Sequence, residues 1–333
     1  MARTQRILVT GASGTIGTHL CEELLRQGYD VIGVDWRPNS WNKEIEDITI
    51  MQDLRDRDAV FNNLPTDIDA IVHLAANARV HNLVVDPVLA RDNFETIFNT
   101  IEFARRNNIP KFVFASSREV YGNSGRVVHA EEHADHNICE SAYTATKIGG
   151  EALVQAYRRC YDLDAVIVRF SNVYGMYDES DRVVPLFIKK TLLGEDLTVF
   201  GEDKLLDFTY ITDAVGGVIR ILERFDDVKN DVYNLAYSNG AKLVDVADWI
   251  RSALGSENQV VIKENRIGEV VQYVADIAKA RTRIGYEPQV HVEDGIRRSI
   301  DWYTANLYRD LHETRLLSAA TMKTPAEMQT ATG

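Results

Sequence analysis

The chain has 333 residues, a formal charge of -13 at neutral pH and 45% hydrophobic residues. This length allows one large domain with an attached lobe, or two domains of ordinary size. The acidic balance opposes binding to nucleic acid, because that affinity depends on clustered Lys and Arg that release counterions. No apolar run approaches the roughly 18 residues that a membrane span requires. The composition therefore predicts a soluble globular protein without a nucleic-acid or membrane partner.

The cysteines and the amino terminus bear on the compartment. Cys21, Cys139 and Cys160 are an odd number without the spacing of a metal site, in a chain too large to need disulfides. The amino terminus leads directly into an apolar strand pattern and lacks the apolar core of a signal peptide. Both observations favour the reducing cytoplasm.

Short apolar runs rich in Val and Ile alternate with longer amphipathic stretches in the first half of the chain. Continuous apolar strands separated by helix-length segments predict a parallel sheet that helices cover on both faces. The predicted strands are Arg6 to Gly11, Tyr29 to Asp35, Ile68 to Ala76, Lys111 to Ser117 and Asp164 to Phe170. The predicted helices are Thr15 to Gln27, Pro87 to Asn107, Tyr143 to Tyr161 and, near the carboxyl end, Val292 to Leu307.

A glycine-rich loop follows the first predicted strand. Gly11, Gly14 and Gly17 have GxxGxxG spacing, typical of a turn where the backbone approaches a pyrophosphate and the helix packs closely on the strand. The motif alone is also consistent with an ordinary glycine-rich turn. The second strand ends at Asp35, where a carboxylate accepts hydrogen bonds from ribose hydroxyls and repels a 2′-phosphate. The two features predict an NAD site, although nearby Arg37 weakens the preference over NADP.

Tyr143 and Lys147 form a YxxxK pair, whose spacing places both side chains on one face of a helix. A tyrosine hydroxyl titrates near pH 10, but a nearby ammonium and a positive nicotinamide ring both stabilise the phenolate. The lysine can therefore activate the tyrosine as a general base. Ser117, at the carboxyl end of a predicted strand, can reach the same substrate hydroxyl. A YxxxK pair considered alone is also consistent with two surface residues.

Together these features resemble the extended branch of the short-chain dehydrogenase/reductase superfamily, specifically its nucleotide-sugar epimerases and dehydratases. The resemblance covers about residues 5 to 305. The motifs that carry it are TGASGTIG, Asp35, Asp53-Leu54, HLAA (73–76), Asn93, SSREVYG (116–122), YTATK (143–147), RFSNVYG (169–175), GEDKLLDFTYITD (201–213), RIGEVVQYVAD (266–276) and IGYEP (284–288).

The resemblance implies NAD as the cofactor, a UDP-sugar as the substrate, and a set of site residues. The implied cofactor-binding residues are Gly11, Gly14, Thr15, Ile16, Gly17, Asp35, Asp53, Leu54, Leu74, Ala75, Ala76, Asn93, Tyr143 and Lys147. The implied catalytic residues are Ser117, Tyr143 and Lys147, with Glu119 as a further candidate. The implied substrate-binding residues are Ser117, Arg118, Asn172, Arg182, Lys204 and Arg266.

The expected fold is α/β, a Rossmann-type doubly wound parallel sheet with a smaller carboxyl-terminal α/β substrate lobe. After about residue 170 the alternation of strands and helices becomes irregular, which suggests where the lobe begins. Residues 1–170 form the predicted NAD-binding domain, and parts of 201–225 return to it. Residues 171–310 form the predicted nucleotide-sugar lobe, and residues 311–333 a peripheral tail.

The resemblance also implies a mechanism, in which Tyr143 takes the proton of the sugar C4 hydroxyl while hydride leaves C4. An epimerase returns the hydride to the other face of the 4-keto sugar, a dehydratase eliminates water across C5 and C6, and a decarboxylase releases a uronate carboxylate. The first hypothesis is a UDP-sugar 4-epimerase that acts on UDP-glucose/UDP-galactose or the corresponding uronates. A UDP-glucuronate decarboxylase or a related 4-keto-forming enzyme is the alternative, and a non-catalytic NAD sensor is the third hypothesis.

The residues after Ser117 depart from the pattern of the dehydratases. Dehydratases similar to this chain carry two acids here, one to protonate the leaving hydroxyl and one to remove the C5 proton. Arg118 occupies the first position, and an arginine is effectively always protonated, so it cannot act as that acid. Dehydration is therefore disfavoured. Glu119 remains either as an aid to decarboxylation or as a structural acid.

The carboxyl-terminal half adds two uncertain substrate contacts. Arg182 fits a contact with the nucleotide diphosphate or with a C6 carboxylate, and it is equally consistent with a solvated loop. Leu206 stands where family members usually have an arginine, and Lys204 is a candidate substitute. The sequence therefore leaves the identity of the sugar open.

Two further features are interpreted conservatively. His129, His133 and His136 lie among acidic residues, but their spacing differs from the HExxH of zinc hydrolases, so no metal site is predicted. The apolar face of the helix from Pro87 includes Phe94 and predicts core or a dimer surface. The resemblance implies pairing through this helix and the Tyr143 helix, and hence a homodimer.

Overall fold

The computed structural model describes residues 4–313. Its strands are β1 Arg6–Thr10, β2 Asp30–Asp35, β3 Thr49–Met51, β4 Ala70–His73, β5 Phe112–Ser117, β6 Val128–His129, β7 Ala165–Phe170, β8 Asn172–Tyr174, β9 Leu197–Phe200, β10 Leu205–Tyr210, β11 Val232–Leu235, β12 Gly240–Lys242, β13 Val260–Lys263 and β14 Gln272–Ala275. Its helices are α1 Thr15–Arg26, α2 Lys43–Asp47, α3 Arg57–Asn63, α4 Val80–Val85, α5 Val88–Arg106, α6 Ala142–Tyr161, α7 Val183–Leu193, α8 Ile211–Glu223, α9 Phe225–Val228, α10 Leu243–Ala253, α11 Ala278–Ile284 and α12 Val292–Asn306.

Seven parallel strands form the main sheet, in the order β11-β7-β5-β4-β1-β2-β3. The strand order reverses beside β1, since the chain runs outward to β2 and β3 on one side and later to β4 and β5 on the other. In open α/β sheets, ligands bind at the carboxyl ends of the strands at such a reversal. The loops after β1 and β4 therefore meet at the expected ligand site.

Helices cover both faces of this sheet, which explains why its strands are continuously apolar. Ile7 and Val9 of β1 pack into one buried cluster, whereas Leu8 between them packs into a second cluster. The second cluster includes Ile97 and Ile101 of α5. The predicted α/β class with a doubly wound parallel sheet is confirmed.

The predicted elements are present, and most of their ends differ by one or two residues. The largest difference is at β4, which ends at His73 because the residues up to Ala76 leave the sheet and form the loop after it. The sequence analysis missed the short elements between 43 and 63. None of the helices within residues 4–313 is both long and apolar enough to cross a membrane. The cytoplasmic location stays a prediction.

The carboxyl-terminal part contributes smaller sheets. One has the order β12-β10-β14-β6, with β8 paired to β10, and a separate pair joins β9 to β13. Strand β6 comes from the segment between β5 and α6, so that segment reaches across to this part of the molecule. Strand β11 also joins the main sheet, where it pairs with β7. It follows residues 201–225, parts of which were predicted to return to the NAD-binding domain. The domain boundaries stay a prediction, and the predicted tail from 314 onward lies outside the described residues.

Candidate active site

The glycine-rich loop connects β1 to α1 at the point where the strand order reverses. Gly11 has a φ of +73°, a left-handed conformation that favours glycine. A Cβ on Gly17 would lie 2.0 Å from the carbonyl oxygen of Gly11, so any larger residue would push α1 away from β1. A Cβ on Gly11 would lie 2.9 Å from the amide nitrogen of Ala75. This tight backbone cradle fits the pyrophosphate of a dinucleotide.

Asp35 ends β2 beside the glycine-rich loop, and it is buried. Its carboxylate accepts hydrogen bonds from the amide of Ser13 at 2.9 Å and from the amide of Arg37 at 3.2 Å. Burial raises the pKa of Asp35, and these amides oppose the increase. Each carboxylate oxygen has a further lone pair for a ribose hydroxyl. The geometry therefore fits the predicted adenosine contact.

The loop after β4 is fixed by side chains from two directions. Thr10 Oγ1 accepts hydrogen bonds from the amides of Leu74 and Ala75, both at 3.2 Å. Asn93 accepts a hydrogen bond from the Asn77 amide at 2.7 Å, and its Nδ2 donates to the Asn77 carbonyl at 3.2 Å. Asn93 thus positions the loop beside the cofactor site, and its contact with NAD stays a prediction.

Other predicted cofactor residues make contacts within the protein. Thr15 donates its hydroxyl hydrogen to the carbonyl of Tyr177 at 2.9 Å. Asp53 forms an ion pair with Arg55. Leu54 is buried in the second core cluster, Ile16 packs against the first cluster, and Ala76 is half-buried. Their roles toward NAD stay predictions.

The YxxxK pair lies inside the protein, which excludes the alternative that Tyr143 and Lys147 are two surface residues. Tyr143 and Lys147 are 7% and 6% exposed. Lys147 Nζ lies 5.6 Å from the centroid of the Tyr143 ring and donates to the carbonyl oxygen of Ala115 on β5 at 2.8 Å. Helix α6 is capped by Ser141, whose Oγ accepts the Thr144 amide at 3.1 Å. The cap and the lysine contact fix both residues against the end of β5.

Gly150 allows α6 to approach β5 closely. A Cβ on Gly150 would lie 2.4 Å from Cζ of Phe114, so a larger residue would separate the helix from the strand. This close packing brings Tyr143 within hydrogen-bonding reach of Ser117. The sequence analysis assigned no role to Gly150, although the glycine pair after the YxxxK motif was a visible signal.

Burial dominates the electrostatics of the pair. It raises the pKa of Tyr143 to about 12, and the hydrogen bond with Ser117 opposes the increase. Burial also lowers the pKa of Lys147 to about 8, and the charge of Glu151 opposes that decrease. By itself the tyrosine therefore stays protonated at neutral pH and cannot accept a proton. A bound nicotinamide cation would stabilise its phenolate.

Glu151, one turn after Lys147 on α6, belongs to a buried network that the sequence analysis did not identify. Its carboxylate accepts two hydrogen bonds from Arg169 on β7, at 2.9 Å and 2.7 Å. The hydroxyl of Ser116 also donates to it. Arg169 donates in addition to the hydroxyl of Tyr121 at 3.1 Å. The network connects α6 to β5 and β7 and keeps a negative charge near Lys147.

Arg118 and Glu119 follow Ser117 in a short 3-10 helix. Arg118 Nη2 lies 2.8 Å from Glu119 Oε1, and Arg118 Nε donates to Asn172 Oδ1 at 3.2 Å. Arg118 Nη1 and Glu119 Oε2 are buried without a hydrogen-bond partner. The structure thus brings three predicted site residues, Arg118, Glu119 and Asn172, together beside Ser117.

Arg182 and Arg266 lie near Arg79, which also forms an ion pair with Asp181. The pKa of Arg79 is lowered by burial and by the charges of Arg182 and Arg266. Arg182 is 3.6 Å from Asp178, and the guanidinium of Arg266 lies 3.9 Å from the centroid of the Phe200 ring. Planar guanidinium groups bind phosphate oxygens in pairs, so the cluster fits a diphosphate. The sequence analysis missed Arg79, which directly precedes α4.

Lys204 and Leu206 differ in their surroundings. Lys204 is buried and forms an ion pair with Glu269, which also lies 3.7 Å from Arg266. Leu206 is buried in the first core cluster. The positive charge in this part of the site therefore comes from Lys204, because the usual arginine position is occupied by the apolar Leu206.

The histidines before α6 have structural contacts. His129 Nε2 lies 3.1 Å from the carbonyl oxygen of Arg126, and its ring stacks on Tyr273. His133 Nδ1 accepts the amide of Ala130 at 3.1 Å. Among residues 4–313, no group of three His, Cys, Asp or Glu side chains is arranged to hold a metal ion.

The sequence matches the model of the NAD dependent epimerase/dehydratase family over residues 7–236. The chain belongs to this family. The predicted resemblance, the NAD cofactor and the class of NAD-dependent nucleotide-sugar epimerase are confirmed at the level of the family.

Three solved structures of named enzymes share the fold. A UDP-glucose 4-epimerase from Thermotoga maritima is 28% identical, with a TM-score of 0.83 over 91% of this chain and 100% of that chain. The UDP-glucuronic acid 4-epimerase from Bacillus cereus, in complex with UDP-glucuronic acid and NAD, is 29% identical, with a TM-score of 0.84 over 90% and 99%. A dTDP-glucose 4,6-dehydratase from Streptomyces venezuelae with NAD bound is 27% identical, with a TM-score of 0.82 over 91% and 98%. Similarity of fold therefore does not choose between epimerisation and dehydration.

Proposed function

We propose that the protein is a UDP-sugar 4-epimerase that works through a transient 4-keto sugar. The observation that carries this proposal is the burial of Tyr143 and Lys147 beside Ser117, at the same edge of the sheet as the glycine-rich loop. This arrangement places a proton acceptor where a bound dinucleotide would end. The family assignment supports the same reaction class.

In the proposed mechanism, the hydroxyls of Ser117 and Tyr143 bind the C4 hydroxyl of the sugar. Tyr143 acts as the phenolate, which the ammonium of Lys147 stabilises, and it becomes the neutral phenol when it takes the hydroxyl proton. The glycine-rich loop and Asp35 would hold NAD, which would supply the hydride acceptor for C4 and the hydride for the return step. Tyr143 then returns the proton to the C4 oxygen. Inversion follows when the ketone presents its other face before the hydride returns.

The substrate diphosphate is assigned to the arginine cluster. Arg79, Arg182 and Arg266 hold the nucleotide part while the sugar turns, which requires strong contacts away from the reacting carbon. Arg118 supports epimerisation over dehydration, because it stands where a dehydratase needs an acid and it cannot release a proton. The absence of net redox change means that one bound NAD serves many turnovers.

The test is incubation of the purified protein with UDP-glucose, and separately with UDP-glucuronate, without added NAD. NMR of the products distinguishes the reactions. A sugar inverted only at C4 supports the proposal, whereas a 4-keto-6-deoxy sugar or carbon dioxide with a pentose contradicts it. NAD released by denaturing the protein is measured in parallel, since tight binding of the cofactor is part of the proposal.

We also propose that the enzyme is a homodimer through α5 and α6. Phe94 and Phe98 of α5 are 42% and 46% exposed, and they line a cavity of about 380 Å³ with Gly149 and Leu153 of α6. Exposed aromatic side chains grouped on two adjacent helices are typical of a protein interface.

Size-exclusion chromatography with light scattering tests the homodimer. The wild-type protein is expected at twice the mass of the chain, and Phe98→Glu at the mass of one chain, because the substitution would bury an unpaired charge in the interface. Val261→Glu is the matched control, since Val261 is 38% exposed on β13, far from these helices in sequence. A monomeric wild-type protein would refute the proposal.

A further inference from the structure

The Arg118–Glu119 pair contains one hydrogen-bond donor atom and one acceptor atom that have no partner in the protein. The two side chains bond each other, and Arg118 also bonds Asn172, yet Arg118 Nη1 and Glu119 Oε2 are buried without partners. Buried polar atoms without partners are rare and cost free energy. A ligand that satisfies both atoms would remove this cost.

The pair lies where it can contact the substituent beside the reacting carbon of the sugar. Both residues directly follow Ser117, which lies beside Tyr143. The charges of Arg118 and Glu119 also act on the hydroxyl of Tyr143 in opposite directions. In a hexose that reacts at C4, the neighbouring carbons carry the C3 hydroxyl and the C6 group, and of these two only the C6 group differs between a hexose and its uronate. The C6 group is therefore the substituent that we assign to the pair.

The chemistry of the two free atoms distinguishes a hydroxymethyl group from a carboxylate. A hydroxyl accepts a hydrogen bond and donates one, so it can satisfy both Arg118 Nη1 and Glu119 Oε2. A carboxylate only accepts. It would satisfy Arg118 but would face the carboxylate of Glu119 with a charge of the same sign.

The surrounding charges favour the same group. Besides Arg118, the charges that act on Glu119 are those of Lys204, Glu140 and Glu269. Lys204 is already paired with Glu269. With Arg266, which lies 3.7 Å from Glu269, the immediate surroundings contain three carboxylates, counting Glu119 itself, and three cations. A uronate would add a fourth carboxylate, whereas a hydroxymethyl group adds no charge.

We infer that the site takes a nucleotide hexose with an uncharged hydroxymethyl group at C6, and that the Arg118–Glu119 pair excludes uronates. This inference rests on the proposed 4-epimerase function and names its substrate class. Arg118 orients the C6 oxygen, and Glu119 accepts the hydrogen of its hydroxyl.

The experiment compares kcat/KM for UDP-glucose and UDP-glucuronate in the wild-type protein and in Glu119→Gln. The wild-type protein is expected to prefer UDP-glucose by about 10³-fold, because a site built for a hydroxyl strongly rejects a group that cannot donate. In Glu119→Gln the amide keeps the size and an oxygen acceptor but removes the charge. The preference should fall at least about tenfold, mainly through faster turnover of UDP-glucuronate.

Glu132→Gln is the matched control, because Glu132 is exposed and its substitution removes the same charge. It should keep the wild-type preference. Equal or faster inversion of UDP-glucuronate by the wild-type protein would overturn the inference and leave the 4-epimerase proposal standing. Failure to invert either sugar, with NAD retained, would instead overturn the proposed function itself.

A crystal structure of the wild-type protein with NAD and UDP-glucose provides a second readout that does not depend on how Glu119→Gln folds. The C6 oxygen is expected within about 3.2 Å of both Arg118 Nη1 and Glu119 Oε2. A sugar whose C6 oxygen contacts neither atom would overturn the inference, even if the kinetic preference were as expected.

Discussion

The two sides of the candidate active site are built differently. On the cofactor side, the backbone makes most of the site: Gly11 and Gly17 shape the loop, and amides hold Asp35 in place. On the substrate side, charged side chains from distant segments make the site, including Arg118 and Lys204 with their ion-pair partners. The comparison indicates that cofactor recognition depends on local chain geometry, whereas sugar recognition depends on contacts between distant residues.

The largest expected effect concerns Tyr143, where the two sides meet. Tyr143→Phe removes the proposed acceptor of the C4 proton, so kcat should fall about 10³-fold while NAD remains bound. Turnover is measured by NMR and NAD by its release on denaturation. Tyr161→Phe, which removes an exposed hydroxyl from the same helix, should match the wild-type rate. Unchanged turnover in Tyr143→Phe would show that Tyr143 does not take the C4 proton and would contradict the proposed chemistry.

The next effect tests the backbone geometry of the cofactor side. Gly17→Ala places a Cβ 2.0 Å from the Gly11 carbonyl oxygen, so the free energy of unfolding should fall by about 3 kcal/mol and bound NAD should be lost. Gly216→Ala is the control, because a Cβ there meets nothing within 4 Å and the residue lies inside α8. The control should be neutral or stabilised by up to ~1 kcal/mol. Equal behaviour of the two variants would contradict the importance of this close approach.

A smaller effect tests the side-chain character of the substrate side. Arg266→Ala removes the proposed diphosphate contact, which would be made both before and during reaction, so KM should rise about 30-fold with little change in kcat. Steady-state kinetics with UDP-glucose provides the measurement. Arg297→Ala removes an exposed arginine from α12 and should leave KM unchanged. A lower kcat at constant KM in Arg266→Ala would show that the arginine does not serve as a simple binding contact.

The smallest effect concerns the charge that Glu151 keeps near Lys147. Burial lowers the pKa of Lys147 to about 8, and the negative charge of Glu151 opposes that decrease. Activity that needs the ammonium is lost as pH rises through this pKa. Glu151→Gln lowers the pKa further, so the alkaline loss of kcat/KM should move to lower pH by about one unit.

The control for this shift is Glu293→Gln, which removes a carboxylate from α12 and should leave the pH profile unchanged. Thermal unfolding is measured for both variants, because the Arg169 contact is lost with Glu151. A less stable Glu151→Gln protein with an unshifted alkaline limb would restrict Glu151 to a structural role.

The sequence by itself determined the features that depend on neighbouring residues. The strand-to-helix glycine loop, Asp35 at the end of β2 and the one-turn spacing of Tyr143 and Lys147 all follow from short-range periodicity and spacing. The glycine loop and Asp35 predicted the cofactor, because a dinucleotide site is built from one strand, one turn and one helix, and the alternation of apolar strands with helix-length segments predicted the fold class.

The tertiary structure decided the features that depend on strand order and helix packing. It showed that the YxxxK pair is buried, that Gly150 brings α6 onto β5, and that Arg79 joins two arginines from far along the chain. It also showed the unpaired atoms of Arg118 and Glu119. Spacing along the chain does not encode such contacts, because they exist only after the sheet has placed distant segments side by side.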